Sequence, residues 1–155
     1  MKLFLLFVSL LYIYPHVSSA TQFEGSVVRV LDGDTIEVLR EQNPVRVRLL
    51  NIDAPEKKQP FGRWSTNQLK TLVAGNPVKV TYQNTDRYGR VLGMVETKFI
   101  NVNRTMVIYG AAWVYDKYNT DKSLPDLQKE AQEQKRGLWA DSDPLPPWEW
   151  RIKNN

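Results

Sequence analysis

The sequence predicts an α+β fold in which a small five-stranded β-barrel is accompanied by about three helices. Three observations predict it. Apolar and polar residues alternate in short runs over 27–50, a helical pattern over 63–74 follows the third run, and further helical patterns occupy the chain after residue 100. The length of 155 residues suits one hydrophobic core, so we expect a single domain over residues 21–155.

β-Prone runs predict the first two strands, alternation with a period of two residues predicts the third and fourth, and a fifth run follows the next turn. Asp32-Gly33-Asp34 separates the first two runs and is a strong hairpin signal, because Asp-Gly is favoured in tight turns. Asn43-Pro44 turns the chain again before the third run, and the segment 84–89 forms the turn before the fifth. The five runs are 27–31, 36–39, 45–50, 78–82 and 91–95.

Three helices are predicted from apolar residues spaced by three and four positions. The first covers about 63–74 and ends at Gly75, and the second covers 102–109 and ends at Gly110. The third follows Ser123, which begins a capping-box-like start, and Gly137 closes it. Residues 144–150 are expected to be non-helical at their prolines and to lie on the surface, with Trp148 or Trp150 anchored. This order of strands and helices indicates a barrel of the OB type.

The first 20 residues have the pattern of a secretory signal peptide. Lys2 precedes an apolar run over 3–14, and the small residues 18–20 offer a cleavage site after Ala20. A membrane anchor is the alternative, but the run is shorter than the roughly 20 residues of a spanning helix. We therefore predict a signal peptide over 1–20 and a secreted or periplasmic protein with no membrane association after cleavage.

The charged residues permit several partners without selecting one. Lys2 is the only charged residue in 1–20, so the remaining chain has a net charge one unit below the +4 of the whole. The basic residues are scattered in pairs instead of forming a long run. A solvated surface explains this small excess, and an anionic polymer such as nucleic acid is compatible with it.

The residue inventory limits the chemistry available to this chain. It has no cysteine, and its single histidine, His16, lies in the predicted signal peptide. Thiol nucleophiles, Ser-His-Asp triads and Cys/His zinc sites are therefore excluded. Carboxylates and arginines instead concentrate in three segments, which would suit a hard metal ion held against a phosphodiester. These segments are 32–35, 48–56 and 86–90.

Each segment taken alone has a simpler explanation. Asp32-Gly33-Asp34 is common chemistry for a hairpin turn, and Asp53-Ala54-Pro55-Glu56 is also typical of the start of a loop. Arg48 fits an exposed strand position, and 86–90 fits an ordinary charged turn. The combination and order of these segments carry the functional prediction.

In that order the segments resemble the thermonuclease (staphylococcal-nuclease-like) family, over the whole chain after residue 20. The similarity rests on Val-Leu-Asp-Gly-Asp-Thr-Ile at 30–36, Val-Arg-Leu-Leu-Asn-Ile-Asp-Ala-Pro-Glu at 47–56, Asp-Arg-Tyr-Gly-Arg at 86–90 and Gly-Leu-Trp at 137–139. The resemblance implies a secreted, calcium-dependent endonuclease that hydrolyses DNA and RNA with little sequence specificity and leaves 3′-phosphate ends. It implies a monomer with no stable protein partner.

The resemblance also implies a role for each matching residue. Asp34 and Asp53 would bind calcium together with the backbone carbonyl of Ala54, where the founding member of the family has threonine. Glu56 would be the general base. Arg48 and Arg90 would hold the scissile phosphate, and Tyr88 would contact the sugar or base of the substrate.

General chemistry agrees with these roles and leaves alternatives open. Arginine offers two parallel charge-assisted hydrogen bonds to a phosphate, and calcium accepts six to eight oxygen ligands, including water. Magnesium is an alternative that demands tighter octahedral geometry. The main alternative function is an OB-type nucleic-acid-binding module without catalysis, and a purely structural secreted domain is a third. Both leave the coincidence of Asp34, Arg48, Asp53, Glu56 and Arg90 unexplained.

Overall fold

A closed five-stranded β-barrel forms the centre of the computed structural model, which describes residues 19–154. Around the barrel the strand order is β1-β2-β3-β6-β5, in which β3 and β6 pair in parallel and the other neighbours are antiparallel. The short strands β4 and β7 pair in a separate sheet. The strands are β1 (Thr21–Asp32), β2 (Thr35–Arg40), β3 (Asn43–Leu49), β4 (Ile52–Asp53), β5 (Pro77–Thr85), β6 (Val91–Glu96) and β7 (Trp113–Val114).

Within residues 19–154, four α-helices and one short 3-10 helix pack outside the barrel, so the α+β class is confirmed with one helix more than predicted. Helix α1 follows β4, α2 follows β6, and α3, the 3-10 helix and α4 complete the described chain. Their bounds are α1 (Gly62–Val73), α2 (Val102–Ile108), α3 (Leu124–Glu133), the 3-10 helix Gly137–Ala140 and α4 (Pro147–Asn154).

The predicted strands are all present, but two details of the sheet were predicted wrongly. The second turn lies at residues 41–42, where Glu41 has a left-handed backbone (φ 56°), and Asn43-Pro44 already belong to β3. Proline is tolerated there because it occupies the beginning of a strand. Strands β4 and β7 were not predicted, because two residues are too short to show a period.

The predicted ends of α3 also require correction. The Ser123 side chain caps no helix N–H, because its backbone is already helical (φ −87°, ψ −20°) and its hydroxyl oxygen accepts from Arg104 instead. The capping box suggested by the sequence is therefore not formed. The helix ends before Gly137, since Lys135 already adopts the left-handed conformation (φ 52°) that terminates it.

The C-terminal segment contains a helix that the sequence prediction missed. Pro147 begins α4, a position where proline is tolerated because the first N–H of a helix has no intrahelical partner. Trp148 is the anchored tryptophan: it stacks on Tyr115 with parallel rings 5.4 Å apart and meets Trp113 edge-on. Gln59 adds a 2.6 Å hydrogen bond to the carbonyl of Leu145.

The barrel core determines which side chains are available for a site. Alternation in β3 buries Val47 and Leu49 and turns Arg48 outward. The register pairs Arg48 with Leu92 on β6, so both residues lie on the same outer face. Asp53 follows on β4 at the edge of this face.

The N-terminal prediction lies mainly outside the described residues. Residues 1–18 of the predicted signal peptide are not described, and Ser19 and Ala20 precede β1. Within residues 19–154, no helix is long and apolar enough to cross a membrane.

Candidate active site

The turn between β1 and β2 places Asp34 against the segment that follows β4. A Cβ on Gly33 would lie 2.0 Å from the Ser65 hydroxyl oxygen and 2.7 Å from the Ala54 side chain, so only glycine allows this approach. Asp34 is buried, and its Oδ2 accepts the backbone N–H of Ala54 at 2.7 Å. The glycine of the hairpin signal therefore serves packing as well as the turn.

The connection between β3 and β4 brings Asp53 to the same place. Asn51 has a left-handed backbone (φ 70°), which reverses the chain between the two strands. Asp53 is then only 2% exposed and lies beside Arg48, whose Nη2 donates to Asp53 Oδ1 at 3.0 Å. Arg48 Nε lies 3.1 Å from Asp34 Oδ1, so one guanidinium joins both carboxylates.

Backbone carbonyls hold Arg48 in this position. Its Nη1 donates to the carbonyls of Leu49 and Ile52, at 2.6 and 2.7 Å. The guanidinium is thus fixed by the strand that carries it and by the following turn.

A second arginine, which the sequence analysis did not identify, reaches the site from α4. Arg151 Nη2 lies 2.7 Å from Asp53 Oδ2, and Arg151 Nη1 donates to Glu56 Oε1 at 2.8 Å. Arg151 and Asp53 are 98 positions apart in the chain. A Trp-Glu-Trp-Arg sequence that combines aromatic anchors with a cation was the only available signal, and it is a weak one.

Arg90 and Tyr88 form a separate group in the turn between β5 and β6. Arg90 Nε pairs with Asp86 Oδ2 at 2.7 Å, and Asp86 Oδ1 accepts the backbone N–H groups of Tyr88 and Arg90. Tyr88 is 68% exposed, and the Arg90 guanidinium lies 5.6 Å from its ring centre. Within residues 19–154, Arg90 makes no hydrogen bond to the carboxylates around Arg48. Arg90 lies two positions before Leu92, the residue of β6 that pairs with Arg48.

The buried carboxylates carry an electrostatic cost that the arginines do not remove. Burial raises the pKa of Asp53, against the hydrogen bond from Arg151, and the neighbouring charge of Asp34 raises it further. Burial and the charge of Asp34 also raise the pKa of Asp32, to about 7. An additional cation beside these groups would favour their ionised forms.

The donor chemistry of this cluster fits a hard divalent cation. Asp34 and Asp53 offer carboxylate oxygens, and the Ala54 carbonyl accepts no hydrogen bond within residues 19–154. In the described part of the chain, no three acidic, His or Cys side chains are arranged to hold a metal by themselves. An ion here would therefore rely on the carbonyl, water and substrate for its remaining ligands, as calcium accepts.

The structure thus divides the predicted residues into two groups. Asp34, Arg48, Asp53, Ala54 and Glu56 come together at the edge of the barrel, and Arg90 and Tyr88 lie in a neighbouring turn. Arg151 bonds both Asp53 and Glu56 in the first group. Paired carboxylates beside several guanidiniums can bind a cation and an anionic group at the same time.

Comparison with known proteins identifies related sequences. The family described as staphylococcal nuclease homologue matches residues 46–141. An uncharacterised endonuclease of Escherichia coli is 60% identical over 142 residues, which cover 91% of this chain and 93% of the relative. A micrococcal nuclease of Shigella flexneri is 43% identical over 87% of this chain and 84% of its own length. A staphylococcal-like nuclease of Arabidopsis thaliana is 37% identical over 82% of this chain and 39% of its own length.

The family match covers only part of the candidate site. Residues 46–141 include Arg48, Asp53, Glu56 and Arg90. Asp34 lies before this range and Arg151 lies after it. The candidate site therefore includes residues on both sides of the matched region.

Proposed function

Because the chain belongs to the staphylococcal nuclease homologue family and is a hydrolytic nuclease, we propose that it is an exported, calcium-dependent endonuclease that cleaves DNA and RNA with little sequence specificity. The observation that carries the proposal is the buried pair of carboxylates, Asp34 and Asp53, which Arg48 joins, with the Ala54 N–H bonded to Asp34. Magnesium is the alternative ion, because it also binds through one or two carboxylates with water and substrate phosphate, but it demands tighter octahedral geometry.

Calcium would be held by Asp34, Asp53 and the Ala54 carbonyl, and when bound it would neutralise charge that builds up on the phosphate. Arg48 and Arg90 bind the scissile phosphate in this proposal, because guanidinium groups form charge-assisted hydrogen bonds to its oxygens. Tyr88 contacts the adjoining sugar or base through its exposed ring.

Glu56 acts as the general base. It accepts a proton from the attacking water, the water oxygen bonds to phosphorus, and the bond from phosphorus to the 5′ oxygen breaks. The 5′ oxygen leaves and takes a proton from solvent water to become a hydroxyl, Glu56 releases its proton to solvent, and the phosphate stays on the 3′ side. Glu56 is suited to this task because its side chain is 40% exposed and therefore open to water beside the buried pair.

We also propose that residues 1–20 direct export and are removed after Ala20, and that the released nuclease acts as a monomer. The N-terminal residue of the protein recovered from periplasm or medium tests this proposal. It should be Thr21, and a product that starts at Met1 and remains with membranes would indicate an anchor.

Cleavage of DNA and RNA by the purified protein, in calcium and in excess chelator, tests the metal and the products. Cleavage should require calcium in the millimolar range typical of weak extracellular sites, and the fragments should carry 3′-phosphates that a phosphatase removes. Undiminished cleavage in chelator would refute the calcium assignment, and 5′-phosphate products would refute the bond assignment. Binding of nucleic acid without cleavage would favour the binding module.

A further inference from the structure

Arg151 is anchored in the site yet keeps part of its guanidinium available. Its Nη1 donates to Glu56 Oε1 at 2.8 Å and to Asp53 Oδ1 at 3.3 Å, and its Nη2 donates to Asp53 Oδ2 at 2.7 Å. These bonds use both N–H groups of Nη1 and one N–H group of Nη2. The Nε–H and the second Nη2–H, which are parallel on one side of the group, have no acceptor within residues 19–154.

Arg48 differs from Arg151 in this respect. Both N–H bonds of its Nη1 go to backbone carbonyls, one N–H of Nη2 goes to Asp53, and Nε faces Asp34. A single N–H of Arg48 therefore remains, so Arg48 cannot form a two-bond fork to a phosphate without breaking a protein contact. Arg48 is also only 12% exposed, whereas Arg151 is 33% exposed.

Helix α4 holds Arg151 at the site through contacts independent of the carboxylates. Trp148, three residues earlier in the helix, stacks on Tyr115 and meets Trp113 edge-on. The hydrogen bond from Gln59 to the Leu145 carbonyl fixes the segment that leads into the helix. Helix α4 is therefore docked independently of the carboxylates, and the free Nε–Nη2 side of Arg151 has a defined position on the opposite side of the guanidinium from Glu56.

We propose that Arg151 is a further substrate-binding residue, whose free Nε–Nη2 side binds a phosphate of the nucleic acid chain while its other N–H groups stay bonded to Asp53 and Glu56. Two parallel N–H bonds match two phosphate oxygens, which lysine cannot do. The positive charge also shields the incoming phosphate from the carboxylates of Asp53 and Glu56, which would otherwise repel it. Arginine is always protonated in proteins at working pH, so the group stays charged.

The test is equilibrium binding of a nucleoside 3′,5′-bisphosphate to the full-length protein at fixed salt, in saturating calcium and again in chelator. Arg151→Gln should weaken binding about 10-fold or more, as expected for losing charge-assisted hydrogen bonds. Arg151→Lys should have an intermediate effect because it keeps the charge and loses the fork. Lys153→Gln on the same helix removes an exposed charge and is the matched control, which should change affinity only slightly.

Equal affinity of Arg151→Gln and Lys153→Gln, or tighter binding by Arg151→Gln, would overturn the proposal and make Arg151 a cation that substrate displaces. If thermal unfolding shows that Arg151→Gln is not folded, the affinity of Arg151→Lys for the bisphosphate decides the question. Wild-type affinity in Arg151→Lys would overturn the proposal. The inference rests on the phosphodiester substrate of the nuclease and not on calcium. If the calcium proposal fails, the wild-type protein should bind the bisphosphate equally in calcium and in chelator. If this inference fails, any calcium dependence stays intact, but Arg151→Gln and Lys153→Gln bind with the same affinity.

Discussion

Asp53 and Asp86 both pair with arginine, yet their pKa values move in opposite directions. Asp53 is 2% exposed, and burial raises its pKa although Arg48 and Arg151 both bond to it. Asp86 lies in a turn at the surface, where burial opposes the shift but hydrogen bonds from the backbone and side chain of Arg90 lower its pKa. Desolvation outweighs attraction at the barrel edge, and local hydrogen bonds outweigh desolvation in the turn.

The difference shows which of the two carboxylates is stabilised by its protein contacts alone. Asp86 and Arg90, which lie within five residues of chain, neutralise each other's charge. Burial keeps the ionised form of Asp53 unfavourable although two arginines bond to it, so a further cation beside it would stabilise the buried group. We expect substitutions in the buried group to affect both stability and catalysis, and substitutions in the turn to affect catalysis with little effect on stability.

The largest expected effect comes from Glu56, which shares Arg151 with the buried group. Glu56→Gln keeps the shape of the side chain and removes the base, so kcat should fall by about 10² to 10⁴-fold while DNA binding is largely retained. Single-turnover cleavage beside equilibrium binding measures both. Glu133→Gln, the same change at an exposed position of α3, is the control. A normal rate in Glu56→Gln would remove Glu56 from the mechanism.

The variants Arg48→Lys and Arg90→Lys compare the buried group with the surface turn most directly. Each should lower the cleavage rate on the order of 10²-fold, comparable to losing one donor to a developing oxyanion. Arg48→Lys should also lower the free energy of unfolding by about 1–3 kcal/mol, because buried acceptors lose their donors. Arg90→Lys should change it by less than about 1 kcal/mol, as for exposed ion pairs.

Rates and urea unfolding of both variants and of the double variant provide the measurement. The double variant should lose less rate than the product of the two single losses, because both side chains bind one phosphate. Equal destabilisation by the two single changes would contradict the division between a buried group and an independent turn.

A smaller effect is expected from the aromatic contact that docks α4. Trp148→Ala removes the stacking on Tyr115, worth about 0.5–1.5 kcal/mol beyond the area buried, and should loosen the helix that carries Arg151. Proteolysis near residues 141–146 should become faster while the barrel stays intact. Ile152→Ala, at an exposed position of the same helix, is the control. Unchanged proteolysis in Trp148→Ala would show that other contacts hold α4.

The smallest effect concerns pH and Asp86. Because its pKa is lowered in the folded protein, Asp86 stabilises the fold above its unfolded pKa, and this stabilisation is lost as pH falls through the folded pKa. The difference in unfolding free energy between wild type and Asp86→Asn should therefore be constant above about pH 5 and shrink below pH 4. Unfolding curves over that range measure it. A difference that grows on acidification would contradict the assigned direction.

The sequence predicted the barrel and the core of the site because their signals are local. Asp34 follows a hairpin signal, and Arg48 and Asp53 lie five residues apart around one turn. Alternation in β3 then determined the outer face on which Arg48 lies. The same reasoning did not detect the role of Gly33, whose close approach to Ser65 depends on how α1 packs.

Arg151 and α4 could not be predicted because their positions depend on contacts between distant parts of the chain. Helix α4 has 8 residues and begins at a proline, so it shows too little periodicity to detect. Its location depends on the stacking of Trp148 against Tyr115, 33 positions earlier, and on the contact of Arg151 with Asp53. The capping box at Ser123 failed for a related reason, because the hydroxyl oxygen accepts from Arg104, 19 positions earlier in the chain.

The free energy of unfolding, measured with and without calcium plus a nucleoside 3′,5′-bisphosphate, tests most directly whether Asp34 and Asp53 form the cation site. At ligand concentrations near 100 times the dissociation constant, the free energy of unfolding of the wild-type protein should rise by about 2.7 kcal/mol. Asp53→Asn should show little of this rise under the same conditions. No rise in the wild-type protein, or an equal rise in Asp53→Asn, would contradict the assignment of the site.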